Sequence, residues 1–104
     1  MSEFSEIIDQ SKPTLVDFFA TWCGPCKMQG PILEQVKNTL GDDVNIIKID
    51  VDRNPELSER YQIKSVPTLI IFKNSVALWK GFGVHQADQL EALLREHIAT
   101  GSSI

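Results

Sequence analysis

The stretch TLVDFFA, residues 14 to 20, constrains the fold more than any other part of the chain. It reads as a strand that is apolar on both faces, and such a strand must be covered from both sides. A helical pattern follows it. Ile32, Leu33, Val36 and Leu40 recur at helical spacing, the helix starts near Cys23, and Gly41 closes it. Pro31 falls inside that pattern and predicts a kink. Asp42 and Asp43 then turn the chain into a second strand, VNIIKIDV, residues 44 to 51. A strand–helix–strand unit of this kind gives two parallel strands joined by a right-handed crossover.

The remaining segments fit around that unit. Residues 2 to 11 read as a helix capped by Ser2, with Glu3 and Glu6 in its first turn and Phe4, Ile7 and Ile8 on one face. Lys12-Pro13 ends it. Asn54-Pro55 supplies an N-cap and a first-turn proline for a short helix to about Tyr61. PTLIIFK, 67 to 73, is a third buried strand; Asn74-Ser75 turns it into a fourth, VALWKG, 76 to 81. The last helix runs from about Ala87 to Ile98, with Leu90, Leu93, Leu94 and Ile98 on one face and His97 in its last turn. TGSSI, 100 to 104, is a polar tail. With no linker or repeat, residues 1 to 104 read as one α/β domain: a four-stranded mixed sheet with helices on both faces.

A net charge of −4 argues against nucleic acid or an anionic membrane as the main partner. No apolar run approaches the roughly 20 residues of a membrane span. The opening residues MSEFSEIIDQ carry neither a basic segment nor an apolar one of the secretory kind, so a cytoplasmic, reducing compartment is expected.

That compartment bears on the two cysteines, Cys23 and Cys26, in ATWCGPCKM. As a structural staple they would close a very small loop, which yields little chain-entropy stabilisation. A zinc site wants about four Cys or His ligands, and His85 and His97 lie far down the chain. A redox-active dithiol is favoured. Cys23 sits where a strand ends and a helix begins, the end of an open α/β sheet where ligands and chemistry gather. The helix N-terminus favours a thiolate, so Cys23 is expected to be the exposed, low-pKa nucleophile. Cys26, one turn further in, is expected to be more buried and to act as the resolving thiol. Gly24 lets the backbone come close, and Pro25 suits a first turn.

VDFFATWCGPCKM followed by PIL, SVPTLIIFKN, and GFG resemble the thioredoxin family over nearly the whole chain, in order and spacing. The resemblance implies a three-layer α/β/α sandwich and a protein-disulfide reductase. It implies Cys23 as nucleophile and Cys26 as resolving thiol, with Trp22 flanking them. Pro67 would be a cis-proline facing the dithiol, and Val66 would offer backbone hydrogen bonds to an extended client. Gly83 would admit the client closely. Asp17 would be the buried carboxylate behind the cysteines, with Lys48 its neighbour. No cofactor would be bound; a flavin- and NADPH-dependent thioredoxin reductase would recycle the oxidised form. The other partners would be disulfide-containing proteins, and a monomer is expected.

Several residues depart from the family pattern. Phe19 stands where Trp is common, Gln29-Gly30 replaces a more apolar pair, Ser75 replaces a hairpin glycine, and Trp79 is unusual in its strand. There is no room for the strand that usually precedes the first helix, so four strands are expected. Strand 44–51 should then lie at a sheet edge, covered by a loop or paired with a second molecule. An oxidase or isomerase is the near rival within the same chemistry. Gly-Pro between the cysteines adds no charge or proton donor that would over-stabilise the reduced form, and so argues against it. A binding module with an idle dithiol is the rival outside it. Asp17 as a structural carboxylate, Lys48 as a surface lysine and Trp22 as plain packing are the bland readings of those positions.

Overall fold

Strand β1 (Thr14–Phe19) is buried along nearly its whole length because it runs through the middle of the sheet. The computed structural model describes residues 3–99, so the Ser2 cap and the polar tail lie outside the described residues. The other elements are α1 (Glu3–Ile7), α2 (Gly24–Leu40), a 3-10 turn (Gly41–Asp43), β2 (Asn45–Asp50), α3 (Pro55–Arg60), β3 (Thr68–Lys73), β4 (Val76–Phe82) and α4 (Ala87–Ala99). The sheet order is β2-β1-β3-β4. β1 pairs parallel with β2 and antiparallel with β3, and β3 pairs antiparallel with β4.

The period of two along β1 and β3 sorts side chains to the two faces. Leu15, Leu69 and Ile71 pack with Leu33 and Val36 of α2 and Leu90 of α4. Val16, Phe18, Ile70 and Phe72 pack with Phe4 on the opposite face, where Leu57 and Tyr61 close the layer. Phe4 meets the Phe72 ring edge-on at 5.8 Å. The molecule is thus the expected three-layer sandwich.

Local departures from the expected elements have local causes. Helix α1 ends at Ile7 because the carbonyls of Ile8 and Gln10 are drawn to the hairpin turn, accepting from the Ser75 N–H at 3.0 Å and the Asn74 N–H at 2.8 Å. Asn74 and Ser75 both have positive φ, 52° and 69°, as the primed turns of tight hairpins require, which strains a serine more than a glycine. Helix α2 keeps its expected bounds, running through Pro31 to Leu40 with one intrahelical donor missing at the proline. Asn54 does not cap α3 with its side chain; its Nδ2 donates instead to the Asp50 carbonyl at 3.0 Å. A bulge between Ile71 and Phe72 sets Ile71 opposite Trp79 and Phe72 opposite Ala77, turning Trp79 onto the α2–α4 face.

β2 forms one edge, as expected. The Asn45 N–H donates to the Pro13 carbonyl and the Val51 N–H to the Phe19 carbonyl, both at 2.9 Å. Parallel alternation then aims the N–H groups of Ile47 and Ile49 at β1, and those of Ile46 and Lys48 outward. Amide exchange at Ile46 and Lys48 is expected to be at least about tenfold faster than at Ile47 and Ile49. Uniform protection along β2 would mean that a second molecule covers the edge. Ser75→Gly is expected to raise stability by about 0.5–1 kcal/mol, read from a denaturant midpoint, by relieving the positive φ.

Candidate active site

The C-terminal end of β1 delivers the chain into a turn, closed by the Cys23 N–H donating to the Ala20 carbonyl at 3.2 Å. Cys23 is the N-cap of α2, with extended backbone (φ −89°, ψ 116°). Its Sγ takes the place of the usual capping oxygen and accepts from the Cys26 N–H at 3.2 Å. Pro25 stands in the first turn, where its missing N–H costs no bond. Cys23 and Cys26 are joined by a disulfide with Cα atoms 5.3 Å apart.

The expected difference in exposure between the cysteines is absent: each is 4% exposed in this oxidised form. Ala20, Phe19, Val51 and Val66 pack around the pair. The asymmetry is electrostatic instead, because the amide at the start of α2 points at Cys23 Sγ and not at Cys26.

Trp22 is 71% exposed beside the disulfide, and its Nε1 donates to Asp52 Oδ2 at 2.9 Å. Sequence reasoning missed Asp52. It reaches Trp22 because the parallel register sets Phe19 opposite Asp50, which brings the ends of β1 and β2 together. Gly24 and Pro25 are exposed, and a Cβ on Gly24 would meet no atom within 4 Å.

Across from Cys23 the Val66–Pro67 peptide bond is cis. Cys23 Sγ lies 3.7 Å from the Val66 carbonyl oxygen. The Gly83 N–H donates to the Pro67 carbonyl at 2.9 Å. Gly83 has φ +80°, a conformation that favours glycine whatever the space around it. A depression of 140 Å³ opens beside these residues, lined by Trp22, Val51, Ile63, Lys64, Ser65 and Val66.

Asp17 is fully buried on the α2 face of β1, and neither carboxyl oxygen has a hydrogen-bond partner. Burial raises its pKa from 3.8 to about 6, and the charge of Lys48 opposes that rise in part. Lys48 sits opposite Asp17 in the β1–β2 register. Its Nζ lies 4.7 Å from the centre of the Phe19 ring, so the Phe found in place of Trp still offers a π face to the cation. Among the described residues no group of three or more His, Cys, Asp or Glu could hold a metal ion. No described helix is long and apolar enough to cross a membrane.

Once reduced to the dithiol, a cysteine pair at a strand end and helix N-terminus, faced by a cis-proline, can exchange with a disulfide presented in extended backbone. Known proteins resemble this chain in sequence and fold. The family model described as Thioredoxin matches residues 1–96. A thioredoxin-like protein of Synechocystis is 49% identical over 90 residues, covering 86% of each chain. The bifunctional thioredoxin reductase/thioredoxin of Mycobacterium leprae is 41% identical over 95 residues, 91% of this chain and 20% of that one. The solved thioredoxin of Malassezia sympodialis superimposes with a TM-score of 0.83 at 36% identity, covering 92% of this chain and 86% of its own. Fold, site and relatives agree, and the chain belongs to the thioredoxin family of protein-disulfide oxidoreductases, exchanging dithiol for disulfide through its C-G-P-C motif.

Proposed function

We propose that this domain works as a cytoplasmic monomer that reduces disulfides in client proteins, with Cys23 attacking and Cys26 resolving. The observation that carries the assignment is the single amide hydrogen bond, from Cys26 N–H to Cys23 Sγ, which favours negative charge on Cys23 alone. The Cys23 thiolate attacks one client sulfur. A Cys23–client disulfide forms, and the other client sulfur leaves as a thiolate. Cys26 then loses its proton and attacks Cys23 Sγ, the intramolecular disulfide closes, and the second client thiolate departs. Two electrons pass to the client, and the enzyme is left in the oxidised form described above.

The client would lie extended along Val66 and the cis Pro67, with Trp22, Gly24, Pro25 and Gly83 bounding the contact. Asp17, with Lys48 beside it, would take the Cys26 proton through a water; a carboxyl of pKa about 6 is suited to that task near neutral pH. The neutral Gly-Pro pair keeps the couple reducing. An external flavin- and NADPH-dependent thioredoxin reductase would return the dithiol, a partnership supported by the relative that carries reductase and thioredoxin in one chain.

Cys26→Ser is expected to accumulate mixed disulfides through Cys23, separable on non-reducing gels, and to lose dithiothreitol-driven insulin reduction. Cys23→Ser should trap almost nothing. Equal trapping by both would reverse or erase the assignment.

Asp17 links the mechanism to stability. Its pKa of about 6 in the folded chain lies above the unfolded value, so ionising it opposes folding. Stability present below about pH 4 is therefore lost as pH climbs through about 6. Asp17→Asn is expected to gain up to about 3 kcal/mol at pH 7 and almost nothing near pH 3, measured by denaturant unfolding at both. The same variant should form mixed disulfides normally but resolve them slowly. Resolution at the parent rate would leave Asp17 a structural residue only.

A further inference from the structure

Two of the chain's departures from its family pattern, Gln29 and Trp79, converge on one loop residue, His85. Gln29 is wholly buried on α2, one turn beyond Cys26. Both ends of its amide are used. Nε2 donates to the His85 carbonyl at 3.0 Å, and Oε1 accepts from the His85 N–H at 2.9 Å. On the other side the Trp79 ring stands edge-on to the His85 imidazole, with centroids 5.2 Å apart. Gly81 makes room for that pair: a Cβ there would collide with the Trp79 ring and lie 2.8 Å from His85 Nε2. His85 Nδ1 lies 2.8 Å from the Gly83 carbonyl, so it carries the hydrogen and donates. The Gly83 N–H in turn donates to Pro67. A continuous chain of hydrogen bonds thus runs from the dithiol helix to the cis-proline.

We propose that Gln29 is a positioning residue for client binding: by clamping the His85 backbone it holds Gly83 in place beside Pro67 before a client arrives. The inference rests on reading Gly83 and Pro67 as client contacts. Residues 83–86 belong to no helix or strand, so the His85 backbone has no ladder partner. His85 is only half-buried and lies outside the ladder, so loss of the clamp is expected to loosen this loop and leave the sheet and its two cores paired and packed. What is lost is order in the loop. The free energy of fixing it then falls on each binding event and weakens affinity without touching the exchange step.

Gln29→Met keeps the length of the side chain and removes both hydrogen bonds. Its KM for insulin reduction is expected to rise about tenfold with kcat unchanged, the size of effect that follows from unmaking such bonds. Its rate with a small aryl disulfide, which needs no groove, should equal the parent's. Gln29→Glu supplies the second arm. Its neutral acid keeps one donor and one acceptor, so its KM relative to the parent should recover as pH is lowered from about 8 towards 6, where a buried carboxyl is protonated. A parent-like KM in the Met variant, or a Glu variant whose relative KM ignores pH, overturns the proposal and leaves Gln29 as packing. A parent protein that reduces neither disulfide would instead overturn the functional reading beneath it.

Discussion

The burial of β1 is the constraint on which the rest of the structure depends. It has strands on both sides and helical layers on both faces, so nearly every side chain from Thr14 to Phe18 must be accommodated inside. That position fixes where β1 ends and therefore where Cys23 appears. The chain can leave a covered central strand only at its end, and the return path is a helix packed on the sheet. The first residues of that helix then hold unpaired amides beside the strand end. The chemistry of Cys23 follows from topology before any feature of the cysteine itself is considered.

Asp17 marks the cost of placing a carboxyl in such a strand. A buried carboxyl with both oxygens unpartnered is unfavourable once ionised, and the Lys48 charge offsets only part of the penalty. Lys48 comes from β2, the edge strand, and stays solvated while its Nζ rests on Phe19. An interior neighbour would have had to be desolvated itself. A solvated lysine across an edge strand moderates the pKa without cancelling the rise. The result is a group that titrates near neutrality rather than one held firmly ionised.

Much of this was legible in the sequence because it rests on local pattern. Two-faced apolar runs identified β1 and β3, helical spacing identified α2 and α4, and C-G-P-C at a strand end placed the dithiol. The resemblance supplied the cis Pro67, which no periodicity reveals. What could not be read depends on distant partners. Helix α1 stops early because the Asn74-Ser75 turn takes the carbonyls that follow it. Trp22 binds Asp52 only because the β1–β2 register aligns their ends. Asn54 looked like a cap, yet the carbonyl of Asp50 competes for its side chain. Equal burial of the cysteines follows from Val51 and Val66, which reach them from other segments.

Gln29 did leave a signal, though one that needs the fold to interpret. The buried stripe of α2 runs Cys26, Gln29, Leu33, Val36, Leu40, at spacings of three and four. Four of the five are apolar or thiol, and an amide within such a stripe implies a buried partner. Its place in the stripe also has a reason. Deep in the sandwich α2 faces sheet residues whose backbone is already paired, so apolar side chains suffice. Near its N-terminus the same face looks past the end of the ladder onto residues 83–86, where backbone groups of His85 need partners. One helix face therefore changes chemistry along its length, from thiol to amide to hydrocarbon, as its neighbours change from the Val51 and Val66 segments to the His85 loop to the core. The amide meets that loop because the apolar remainder of the stripe fixes α2 against the sheet.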